Sequence, residues 1–115
     1  MADLDPDVVE AMLFDAACAR EPLTYRQAVL RLEMTGAQMI HRLTEALEAL
    51  MRRHAAAGMP QYACWVVSRG RGGLPAPGFF VLLEELGLYR GSVDGPDAHA
   101  FVAQQRQRCL ADVAK

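Results

Sequence analysis

The sequence predicts a mainly α domain with one small β element, an α+β fold in a single unit spanning residues 1–115. Three observations predict it. The 115 residues are 52% hydrophobic and 23% charged, a globular composition at the modal size of one domain. Several apolar stripes with helical period open on capping residues. Only one short run, Tyr62-Ala63-Cys64-Trp65-Val66-Val67-Ser68, is rich enough in aromatic and β-branched residues to read as a strand.

The first helix is expected from Pro6 to Ala19. Asp5 caps it, Pro6 takes the first helical position, and Val8, Val9, Met12, Leu13, Ala16 and Ala17 form its apolar stripe. Pro22 then biases Glu21 toward extended geometry and breaks the helix. Thr24 with Gln27 three positions on is a capping box, so a second, short helix should run to about Met34. Thr35-x-x-Gln38 has the same form and predicts a long third helix on the stripe Ile40, Leu43, Leu47, Leu50 and Met51, closed at Gly58. Two capped helices joined by a few residues around Gly36 have the form of a helix-turn-helix.

After the predicted strand, Arg69-Gly70-Arg71-Gly72-Gly73 reads as a tight mobile turn, and Leu74-Pro75-Ala76-Pro77-Gly78 as a wing-like loop that no helix continues through. A short helix over residues 79–86 stops at Gly87. A final helix begins at Pro96 and ends near Val113. One strand cannot stand alone, so its partner must come from Pro22-Leu23, from residues after the loop, or from a second chain. This order suits a winged-helix-like domain with extra helices at its N- and C-terminal ends.

The net charge is -2, which argues against a generally basic nucleic-acid coat, but the charge is unevenly spread. Residues 1–35 carry three Arg against seven acids, whereas residues 36–78 carry five Arg against two Glu, so the middle is locally basic. No apolar run is long enough to cross a bilayer, and the acidic opening lacks the basic region of a secretory signal, so no membrane partner and a cytoplasmic location are expected. Cys18, Cys64 and Cys109 have no C-x-x-C pair and no His at zinc spacing. Neither a metal nor another cofactor is expected. Cys18 on a helical stripe and Cys64 in an apolar run both read as small buried hydrophobes.

The stretches Leu23-Thr24-Tyr25-Arg26-Gln27-Ala28, Gly58-Met59-Pro60, Val66-Val67-Ser68 and Gly73-Leu74-Pro75-Ala76-Pro77-Gly78-Phe79-Phe80 cover about half the chain. They resemble the DNA-binding module of the alkylguanine alkyltransferase-like family, and more closely related modules found beside some HNH-type endonucleases. The resemblance implies a winged-helix fold and a DNA partner. It does not imply alkyl transfer here. The family's Pro-Cys-His-Arg run is replaced by Ala63-Cys64-Trp65-Val66, which puts Ala63 in the nucleophile's place. Cys64 has no neighbouring base to activate it. The base-displacing arginine implied by the family falls at Gln38 or Met39, so base flipping is not expected.

The sequence therefore points to a non-enzymatic module with no catalytic residues that binds duplex DNA weakly. Gln38, His41 and Arg42 lie on the opening turns of the long helix, where a recognition helix shows its base-reading side chains. Arg69 and Arg71 lie on the Gly-rich loop, at an exposed tip suited to phosphate. Four cations, counting Arg52 or Arg53 with Arg42, Arg69 and Arg71, would give a salt slope of about -3 to -4. The competing expectation is a protein-interaction or homodimerisation module of the same fold, joined through a strand edge or through Phe79, Phe80 and Leu83. Trp65 is expected to be buried rather than to stack on a base, and Glu84-Glu85 to be a solvated pair.

Overall fold

A computed structural model describes residues 4–115. Its five helices are α1 (Pro6–Ala19), α2 (Tyr25–Arg31), α3 (Met39–Ala56), α4 (Pro77–Glu85) and α5 (Gly95–Val113); two-residue strands β1 (Leu23–Thr24) and β2 (Val66–Val67) complete the fold. The fold is α+β, as the sequence predicts.

α1 starts where its cap requires. The Asp5 side chain accepts from Asp7 N–H at 2.9 Å, and Pro6 opens the helix with no N–H to leave unpaired. Arg20 then turns left-handed at φ 57° and ends it. The capping box of α2 forms in full: Gln27 N–H donates to Thr24 Oγ1 at 3.1 Å and Thr24 N–H to Gln27 Oε1 at 2.9 Å.

The second expected box, Thr35 with Gln38, does not form. Gly36 (φ 89°) and Gln38 (φ 56°) both lie in the left-handed region, which a right-handed helix cannot contain. α3 thus starts only at Met39 and Gln38 makes no side-chain cap, while α2 ends at Arg31, just before the left-handed Glu33 (φ 53°).

The predicted strand over residues 62–68 is also corrected. Tyr62–Trp65 form a 3-10 turn, with Cys64 N–H bonded to Gln61 O at 3.0 Å, and only Val66–Val67 are extended. Every residue from Pro60 to Val67 is buried, and a continuously buried apolar run carries no alternation to separate strand from helix. Of the three possible partners, the strand takes the one inside the chain. β1 and β2 pair in parallel, Leu23 opposite Val66 and Thr24 opposite Val67.

The loop over residues 68–74 closes on itself, Ser68 N–H donating to Leu74 O at 2.9 Å. Pro77 and Gly78, expected in that loop, form the first turn of α4 instead, where proline needs no partner for its missing N–H.

The core sits where α1, α3 and α5 meet the 3-10 turn. Tyr62 is its centre and has no exposed surface. Phe14 meets its ring edge-on at 4.6 Å and His54 at 5.5 Å. Its hydroxyl donates to Asp112 Oδ2 at 2.5 Å on α5. His54, also fully buried, takes Glu10 of α1 at 2.6 Å from its Nε2, so polar contacts join the three helices around an otherwise apolar centre.

Candidate nucleic-acid interface

The five residues picked out in the sequence divide into two groups. Gln38, His41 and Arg69 are exposed. His41 Nε2 stands 2.9 Å from Glu45 Oε1 one turn along α3, so a carboxylate already occupies that spot. Arg42 turns away: its guanidinium donates to Thr35 O at 2.8 Å and Ala37 O at 3.1 Å, satisfying the α2–α3 loop. Arg71 does the same for the loop after β2. Its Nε donates to Pro75 O at 2.9 Å and its other end to Val93 O.

The expectation that Arg69 and Arg71 both stand on an exposed tip thus holds for Arg69 alone. Arg71→Ala strands two carbonyl acceptors and should cost about 1–3 kcal/mol, whereas Arg69→Ala should stay within about 0.5 kcal/mol of the parent. Thermal melts of the two single variants check this difference. Arg52 and Arg53 are also engaged, with Glu85 at 3.5 Å and with Asp7 at 2.9 Å.

Two unpaired arginines meet elsewhere. A groove of about 780 Å³ lies between the start of α2, the start of α3 and the loop after β2. Arg26 and Arg69 line it together with the apolar Val29, Leu30, Met39 and Ile40. Among the described residues no carboxylate lines this groove. Neither arginine has an ion-pair partner among the described residues. Arg26 was missed in the sequence because it follows a cap in an acidic segment. The available signal was its place one residue before Gln27: the capping box ties Gln27 to the backbone and leaves Arg26 exposed.

A second cavity, about 330 Å³, adjoins this groove and shares Tyr25, Ile40 and Ser68 with it. Thr44 and Glu48 of α3 and Ala63 of the 3-10 turn also line it. Burial pushes the Tyr25 phenol above its ordinary range, with a hydrogen bond to the Ala76 backbone opposing the shift. Among the described residues Glu48 is the one carboxylate in this lining.

Cys64 is not among the residues of either cavity and has no exposed surface. Burial, reinforced by its contact with Cys109, pushes its thiol well above the usual range, against the thiolate form a nucleophile needs. Cys18, expected to be buried, is exposed, because the stripe of α1 turns inward through Val9, Met12, Leu13, Ala16 and Ala17. Trp65 is buried as expected, with the Arg106 guanidinium 5.3 Å from its ring centroid. Phe79, Phe80 and Leu83 are buried as well and offer no surface for the self-association the sequence suggested. Glu84 and Glu85 are exposed.

Among the described residues no three His, Cys, Asp or Glu side chains cluster as metal ligands, and no helix is long and apolar enough to cross a membrane. No protein-family model matches the chain, and neither a curated protein nor a solved structure is detectably similar to it.

Proposed function

We propose that this protein is a small non-enzymatic, winged-helix-like module that binds duplex DNA through the groove between α2 and α3. The observation that carries the reading is the pair Arg26 and Arg69, both exposed, with neither an ion-pair partner nor a carboxylate in the groove among the described residues. Exposed cations with no ion-pair partner are available to phosphates. Gln38, exposed at the head of α3 beside this groove, is the side chain free to reach a base edge. The order helix, strand, helix, turn, long helix, strand and loop supports the winged-helix comparison.

The adjoining cavity deepens the same reading. A cavity lined by Tyr25, Thr44, Glu48 and Ala63 beside a phosphate-holding groove suits one nucleobase that is already unpaired. No arginine stands at Gln38 or Met39 to displace a paired one. With Ala63 in its wall and Cys64 buried, the cavity has no thiol to accept an alkyl group.

Since Arg42, Arg52, Arg53 and Arg71 are held within the molecule, the groove offers two phosphate contacts, from Arg26 and Arg69, rather than four. Titrating a short fluorescein-labelled DNA duplex by anisotropy should give a log–log salt slope of about -2, with affinity falling about tenfold between about 50 and 200 mM salt. Absence of binding at the lower salt, or binding indifferent to salt, overturns the reading. A second reading, a protein-interaction surface, is favoured by Leu30 and Ile40, which are 67% and 49% exposed in the same groove. It takes the lead if DNA does not bind.

A further inference from the structure

The loop that carries Arg69 also supplies Ser68 to both cavities and Pro75 and Ala76 to the smaller one. Its position therefore sets how far Arg69 stands from Arg26. β2 is only two residues long, and the loop's backbone bonds close it into a turn that Arg71 ties on one side to Val93 O. α5 supplies a second anchor. One terminal nitrogen of Arg106 donates to Gly73 O at 3.0 Å in the loop and to Cys64 O at 3.2 Å in the 3-10 turn, while its guanidinium stacks over Trp65. Arg106 lines neither cavity.

We infer that Arg106 is a positioning residue for the DNA groove, holding the loop so that Arg69 and Arg26 meet the backbone at matched spacing. This inference rests on the DNA-binding reading. A guanidinium suits the task for three reasons. Its planar fork directs two hydrogens of one nitrogen at two carbonyls, its face stacks on an indole, and it stays charged at any working pH. Lysine at the same place keeps the charge but loses the fork and the stacked plane. Loop placement is thereby set in part from α5, far along the sequence from the groove.

Arg106→Gln and Arg106→Lys test this, each confirmed folded by its melting curve at the temperature of the binding assay, against the same labelled duplex. Both variants should bind about fivefold or more weakly than the parent at a fixed low salt, while keeping the parental salt slope, because no phosphate contact has been removed. Arg69→Ala, by contrast, should lower that slope by about 1. Parental affinity in Arg106→Gln overturns the inference. So does full affinity in Arg106→Lys, which would make charge rather than placement the cause. A slope reduced by one unit in Arg106→Gln overturns it too, since Arg106 would then touch a phosphate itself. Failure of the parent protein to bind removes the DNA reading instead, so the two failures are told apart by the parent's own titration.

Discussion

The double variant Arg26→Ala/Arg69→Ala should lose nearly all salt-dependent DNA affinity, its slope falling from about -2 toward zero and its affinity at about 50 mM salt dropping about a hundredfold. Both side chains are exposed and unpaired, so folding should shift by no more than about 0.5 kcal/mol for each. The double variant Arg42→Ala/Arg71→Ala is the matched control. It removes the same formal charge from residues engaged with backbone carbonyls, and it should lose stability while the salt slope holds. Slopes that fall equally in both would mean that net charge, not the groove, governs binding. Anisotropy titrations across the salt series give both slopes directly.

Tyr62→Ala should be the most destabilising single change outside the groove, at about 4 kcal/mol, with the melting temperature lowered by about 15 °C. The ring is fully buried against Phe14 and His54, so truncation leaves a cavity and an unpartnered Asp112 carboxylate. That is a large part of the 5–15 kcal/mol typical of a whole domain. Tyr62→Phe keeps the packing and should cost about 1–2 kcal/mol. The two also differ in pH dependence. Burial and then the Asp112 contact push the Tyr62 phenol well above its ordinary value of 10.0. Above that value the unfolded chain releases a phenolic proton that the folded chain keeps, so stability falls as pH rises. Tyr62→Phe removes the group and should flatten the alkaline limb, as denaturant melts at a series of pH values would record.

The sequence carried the helices well where each had a local cause. Asp5 with Pro6, Thr24 with Gln27, and Pro96 in the first turn of the last helix mark boundaries that the structure keeps within a residue or two. It misled where one local pattern had two outcomes. Thr35-x-x-Gln38 looks identical to the working box at Thr24, yet the left-handed Gly36 and Gln38 cancel it. The run Tyr62–Val67 is apolar throughout because every side chain in it is buried, and such a run has no period to read.

The site was legible only in part for a related reason. Residue type and neighbourhood can suggest that an arginine is available, but they do not reveal which carbonyls lie within reach after folding. Arg42 meets Thr35 and Ala37 nearby in the chain, while Arg71 meets Val93 and Arg106 meets Cys64 across 22 and 42 residues. Arg26 and Arg69, distant in sequence, became neighbours along one groove because β1 pairs with β2 and brings the start of α2 beside the loop.

By itself, then, the sequence determined the α+β class, most of the helix boundaries and the burial of Trp65 and Cys64, all of which follow from short-range caps and hydrophobic patterning. Which arginines remain free, where the cavities open, and which segment pairs with β2 were decided by tertiary structure alone. Those outcomes depend on contacts between residues far apart in the chain, and a buried carbonyl takes whichever donor the completed fold brings within about 3 Å.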